Sequence, residues 1–211
     1  MVGRRYCPRC GTTVAEGLSL PAVEDGCVHC PTPMPRFNRM VRLGAYEAPL
    51  SRMIRGLKFA GSHATGRHLA GLLARKVRST VELADIEVVQ PVPLHWLRRL
   101  RRGYDQSVVI ARTLAKELAL PISEDLVRVR NTRPQAFLTR TRRIENMRNA
   151  FSAPRPRAVA GRHVLLVDDV TTTGATASEA TRALLAAGAR RVSLAVLAKS
   201  DPPQAFTPRH E

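Results

Sequence analysis

The side chains with the most chemistry to offer lie in one stretch, Asp168-Asp169-Val170-Thr171-Thr172-Thr173-Gly174-Ala175-Thr176. Thr171, Thr172, Thr173 and Thr176 bring hydroxyl donors, and Gly174 lets the backbone come close to a ligand. A helix expected over residues 177–187 would turn its first amides toward the same point. This cradle, with Ala175 inside it, suits a phosphate group. Two adjacent carboxylates gain nothing from a phosphate alone. They do suit sugar hydroxyls and a Mg²⁺ ion, which takes one or two carboxylates plus ligand oxygens. A sugar phosphate is therefore the expected ligand, and a threonine-capped strand-to-helix turn without a ligand is the plainer alternative. Neither a Gly-x-x-x-x-Gly-Lys-Ser/Thr loop nor a Gly-x-Gly-x-x-Gly fingerprint occurs.

All four cysteines fall near the start, as Cys7-Pro8-Arg9-Cys10 and Cys27-Val28-His29-Cys30, with sixteen residues between the pairs. The spacing suits a four-cysteine zinc site, and Gly11 permits the tight turn of a metal knuckle. Four ligands close the tetrahedron, so the metal is expected to be structural and His29 to stay outside it. A pair of disulfides would need an oxidising compartment, and residues 1–6 lack the apolar core of a signal peptide.

The elements that must carry these groups alternate. Val164-Leu165-Leu166-Val167 is apolar without alternation, as in a strand covered on both faces, and its end carries Asp168. Further strands are expected at Val88-Val89, residues 126–129 and residues 192–197. Helices are expected from Leu50, Met53, Ile54 and Leu57, from Leu69, Leu72, Leu73 and Val77, and over residues 107–118, with a C-cap at Gly188. This order predicts a parallel α/β sheet, whose ligands bind at the carboxyl ends of the strands. Pro31-Thr32-Pro33-Met34-Pro35 reads as a stiff linker. Pro202, Pro203 and Pro208 read as a loose tail.

The 168–176 string resembles the phosphoribosyl pyrophosphate (PRPP) signature of type I phosphoribosyltransferases, in which two acids precede Thr-Thr-Gly-x-Thr. The resemblance implies that Asp168 and Asp169 hold the ribose hydroxyls and residues 172–176 the 5′-phosphate. It places the pyrophosphate at the loop of Pro93, Leu94, His95, Arg98, Arg99 and Arg102. Taken with the cysteine module, several further segments make the chain similar to the ComF family of competence proteins. They are the Pro91-Val92-Pro93-Leu94-His95 segment, the Arg102-Gly103-Tyr104-Asp105-Gln106 turn and residues 135–151. Asp105 stands where members commonly carry Asn. The fold implied is a parallel-sheet type I phosphoribosyltransferase-like α/β fold with a small N-terminal zinc ribbon. The zinc ribbon would span residues 1–35, the transferase-like domain 36–200 and the tail 201–211. The resemblance also implies PRPP or a ribose 5-phosphate nucleotide with Mg²⁺ as ligand. It further implies a role in natural competence, handling incoming single-stranded DNA beside a helicase or recombination mediator. A phosphoribosyl transferase would displace pyrophosphate from the anomeric carbon, with Asp168 and Asp169 supporting the developing positive charge. A ligand-binding protein without turnover and a zinc-ribbon adaptor remain the alternatives.

Charge agrees with polyanionic partners: 34 basic residues stand against 17 acidic, a net +17. Ten arginines and one acid fall between Leu126 and Val167. Arg133, Gln135, Arg140 and Arg143 in this stretch are candidates for a lid or a DNA contact, and so long a connection is expected to be a mobile lid or disordered. With aromatic residues at 4%, contact with DNA would run through phosphates rather than stacked bases. No run approaches the eighteen apolar residues of a membrane helix, so a cytoplasmic protein without membrane insertion is expected.

Overall fold

The computed structural model describes residues 4–60, 63–80, 83–94, 105–132, 140–154 and 156–202. In chain order its elements are β1 (Met40–Ala45), α1 (Leu50–Ala60), α2 (His63–Arg78), β2 (Val88–Pro91), α3 (Gln106–Leu118) and β3 (Val127–Arg128). They continue with α4 (Arg140–Met147), β4 (Phe151–Ser152), β5 (His163–Thr171), α5 (Ala175–Ala186) and β6 (Arg191–Lys199).

Four strands form a parallel sheet in the order β1-β6-β5-β2. Along β5, Val164 to Val167 are all fully buried, as the unbroken apolar run predicts. Successive side chains leave opposite faces of a strand. Accordingly, Leu165 and Val167 join α1, α2 and α3 in one core, and Val164 and Leu166 join α5, Met147 and Phe151 in the other. The spacing of Leu69, Leu73 and Val77 on α2 and of Ile110 and Leu114 on α3 turns one stripe of each helix into the first core.

Three expectations change. Residues 126–129 do not join the parallel sheet: β3 pairs antiparallel with β4, so that this two-stranded ribbon packs on the α5 side. Part of the basic connection expected to be lid or disorder is helix, since α4 occupies its second half. The strand β1 was not expected at all. Its Arg42 interrupts the apolar pattern, yet the side chain is 1% exposed. Its two terminal nitrogens are paired: Nη1 lies 3.2 Å from Asp201 Oδ1, and Nη2 donates to Thr13 Oγ1 at 2.5 Å.

Candidate ligand site and metal centre

At the carboxyl edge of the sheet, β5 passes from full burial at Val167 to half-burial at Asp168 and Asp169. Asp168 Oδ1 accepts hydrogen bonds from the Ser107 hydroxyl at 3.0 Å and from the Asp169 amide at 2.8 Å. Asp169 Oδ1 accepts from the Val170 amide at 2.6 Å. Ser107 lies in the first turn of α3, whose N-cap is Asp105. One Asp105 oxygen takes the Ser107 amide at 3.1 Å and the other takes the Leu94 amide at 2.9 Å. This aspartate thus does two structural jobs, starting α3 and fixing the Pro93-Leu94 backbone beside the end of β5.

The turn after β5 brings the threonines and the helix start together. Gly174 is the N-cap of α5 at φ 78°, a left-handed conformation that costs other residues roughly 1–2 kcal/mol. The Ala175 amide donates to Thr173 Oγ1 at 3.3 Å. From α4, Arg143 Nη1 reaches Thr172 Oγ1 at 2.9 Å, setting a guanidinium over the loop. Between this loop and the cysteine module lies a cleft of about 330 Å³, lined by Arg143, Thr172, Thr173, Gly174, His29 and Lys199. Of the residues expected here, the structure brings together Pro93, Leu94, Asp168, Asp169, residues 171–176 and Arg143. His95, Arg98, Arg99, Arg102, Arg133 and Gln135 lie outside the described residues, as does the side chain of Arg140.

The cysteine module is built from two knuckles. The Gly11 amide donates to the Cys7 carbonyl and the Cys30 amide to the Cys27 carbonyl, each at 2.8 Å. A side chain at Gly11 would collide with Met40 Sδ, and one at Gly26 would collide with Cys30 Sγ and Met34 Cε. The four sulfurs lie within 4.8 Å of one another, with Cys7 Sγ 3.9 Å from Cys30 Sγ and Cys10 Sγ 3.6 Å from Cys27 Sγ. Thiolates about 2.3 Å from one tetrahedral ion stand about 3.8 Å apart, so the set fits a single metal. The separations are far too long for disulfides, at about 2.05 Å. Hydrogen bonding from its neighbours, Cys7 first and then Thr12 and Cys27, pulls the Cys10 thiol below its ordinary range against the effect of burial.

Several contacts fasten this module to the open edge of β1. The Met40 amide donates to the Pro8 carbonyl at 2.7 Å. Arg9 donates to the carbonyls of Pro35, Phe37 and Asn38, crossing the proline-rich segment. Asp201 takes the Thr13 amide at 3.1 Å and the Thr13 hydroxyl at 2.5 Å as well as Arg42, although it stands at the first position of the expected tail.

The residues missed by sequence reasoning are Ser107, Phe37 beside Gly174, and Lys199 with Asp201. A signal for the last two was available. Lys199-Ser200-Asp201 ends the apolar run of β6 as Asp168-Asp169 ends that of β5, and so marks the same edge of the sheet. Arg128, at the start of the arginine-rich stretch, has a packing role. It packs 5.5 Å from the centre of the Phe151 ring and donates to Thr132, which puts it to structural use.

A parallel sheet, a carboxyl-edge acid pair and a glycine-opened helix define the type I phosphoribosyltransferase class. The family model for the phosphoribosyl transferase domain matches residues 105–209. Over 200 residues the chain is 34% identical to competence protein F of Haemophilus influenzae, covering 92% of this chain and 85% of that protein. Over 203 residues it is 36% identical to the DNA utilization protein YhgH of Escherichia coli K12, covering 93% and 85%. Adenine phosphoribosyltransferase from Leishmania tarentolae aligns over 82% of this chain and 94% of its own, with 13% identity and a TM-score of 0.45. The chain belongs to the ComF family, together with competence protein F and YhgH. Among the described residues no helix is long and apolar enough to cross a membrane.

Proposed function

We propose that this protein binds PRPP, or a ribose 5-phosphate nucleotide, with Mg²⁺ at the carboxyl edge of its sheet, and uses that site in handling incoming single-stranded DNA. The observation that carries the reading is the run from Asp168 to Gly174. Two half-buried carboxylates at the end of a fully buried strand lead within one turn to a left-handed glycine that opens a helix. Residues 172–176 supply hydroxyls and helix-start amides to the 5′-phosphate. Asp168, kept in place by Ser107, and Asp169 hold the ribose hydroxyls. Pro93 and Leu94 begin the pyrophosphate loop, and Arg143 closes over the phosphate from α4. Mg²⁺, when bound, neutralises pyrophosphate oxygens.

The four-sulfur site takes zinc. Four thiolates suit that ion, and a closed site has a structural role. The relatives' names, competence protein and DNA utilization protein, support the DNA role, and the net charge of +17 suits it.

Group transfer from PRPP is a second outcome of the same site: an acceptor nucleophile bonds to the anomeric carbon as the C1–O bond to pyrophosphate breaks. Calorimetry of PRPP with and without Mg²⁺ tests the binding, with saturable, metal-dependent binding expected. Absence of binding at millimolar PRPP would overturn it. A pyrophosphate-release screen over bases, amines and DNA then separates binding from transfer.

A further inference from the structure

A second polar cavity lies at the other end of the strands. It holds about 810 Å³ and is lined by Arg4, Arg5, Arg39, Lys76 and Arg191, with Glu24 as the acid among its lining residues. Arg39 precedes β1, Arg191 opens β6, and the Leu194 amide donates to the Arg39 carbonyl at 2.8 Å. The groove therefore sits where the parallel strands begin, on the opposite edge from Asp168 and Asp169.

Its cations are gathered closely. Lys76 Nζ stands 4.7 Å from the centre of the Tyr6 ring, and the Arg42 guanidinium stands 5.1 Å from the same ring. Burial and the charge of Arg42 push the Lys76 ammonium below its ordinary range, a crowding that an anion would relieve. The ion pairs at this site are exposed and cheap to exchange: Arg4 with Glu47 at 3.6 Å and Arg191 with Asp85 at 3.7 Å.

We infer that this groove between the cysteine module and the beginning of the sheet is a track for the phosphates of a single strand of DNA. This rests on the DNA-handling reading above and moves the contact away from the arginine-rich connection. The cations line a cavity larger than one phosphate needs, so they meet a run of phosphates. The Tyr6 ring is already packed against Lys76 and Arg42, so bases do not stack there and binding is blind to sequence. A cavity of this size takes a short piece of a single strand and not the body of a duplex.

The test is fluorescence anisotropy with a labelled thymidine oligonucleotide across a salt series. It compares wild type, the triple variant Arg5→Gln/Arg39→Gln/Lys76→Met and, on α4, Arg142→Gln/Arg148→Gln. Methionine keeps the Lys76 stem on Tyr6. Each lost phosphate contact removes about 0.7 from the slope of log affinity against log salt, so the triple variant should lose about two units. The same variant should keep its zinc and its PRPP binding, which certifies the fold. A wild-type slope in the triple variant, with the loss falling on the α4 variant, would overturn the groove and leave DNA handling standing. Stronger competition by duplex than by single strand would overturn it as well. If wild type shows no salt-dependent binding, the groove and the DNA reading both fall, and the PRPP site stands or falls on its own calorimetry.

Discussion

The two ends of β5 use polar residues in opposite ways. At its start His163 is fully buried and closed off on both ring nitrogens. Nδ1 lies 2.7 Å from Asp85 and Nε2 lies 2.9 Å from Ser193 Oγ. A carboxylate only accepts, so Nδ1 carries the proton and Nε2 accepts from the serine. Arg190 and Arg191 complete the cluster around Asp85. At the other end Asp168 and Asp169 are half-buried and lead straight into a loop that lines a cleft. Titratable chemistry occurs at both ends, and what separates structure from function is whether the surroundings close over it.

Removing the metal should have the largest effect and should fall unevenly on the two ends. Structural zinc contributes on the order of 10 kcal/mol to small metal-folded modules. Cys7→Ser with Cys10→Ser is expected to abolish zinc and to unfold the first thirty or so residues while the sheet survives. Hydrogen exchange should show Thr13 losing protection while His163 keeps it. Equal loss at both would mean that the sheet is not independent of the module.

Next in size is the buried Arg42–Asp201 pair. Asp201→Asn leaves a buried guanidinium without its counter-charge, for a loss of about 3–5 kcal/mol in urea unfolding. Arg42→Met combined with Asp201→Leu should recover much of this loss, because no charge is then stranded. A double variant as unstable as the single would show that the pair is needed for more than neutrality.

The contrast itself is tested by exchange at each end of β5. Asp168→Asn with Asp169→Asn should weaken PRPP binding by roughly tenfold to a hundredfold, since bonds to a charged group contribute about 1.5–3 kcal/mol, and should hardly move the unfolding midpoint. His163→Ala should do the reverse, costing about 2–4 kcal/mol through the cavity and stranded partners while PRPP affinity holds.

The smallest effect is a pH slope. Burial outweighs Asp85 and holds His163 below its ordinary 6.5. Its stability contribution is therefore complete above the unfolded value of about 6.5 and declines as pH falls below it, by at most about 1.4 kcal/mol per pH unit. Slight desolvation raises the pKa of the exposed Asp85, but the hydrogen bond from His163 and the nearby positive charges hold it below its ordinary value. Its contribution is lost only in the more acid range. Urea midpoints between pH 7 and 5 should fall for wild type and flatten for His163→Asn.

What the sequence made legible depended on how locally each feature is encoded. Val164 to Gly174 could be read directly, because strand, acids and glycine follow one another and each constrains its own backbone. The cysteine spacing was equally local. Strand β1 could not be read, since Met40-Val41-Arg42-Leu43-Gly44-Ala45 looks interrupted until the partner of Arg42 is found 159 residues later. The strand at residues 126–129 was recognised, but its placement was not, because pairing with β4 is a property of the α5 face. Ser107 escaped notice for the same reason: its contact with Asp168 spans 61 residues.

The bond between Thr13 and Asp201 joins residues 188 positions apart. On the ribosome the knuckles can capture metal as soon as Cys30 is clear of the exit tunnel, yet Arg42 has no counter-charge until β6 and Asp201 have followed. The cysteine module thus precedes the sheet it docks on, and the arrival of β6 and Asp201 completes that docking.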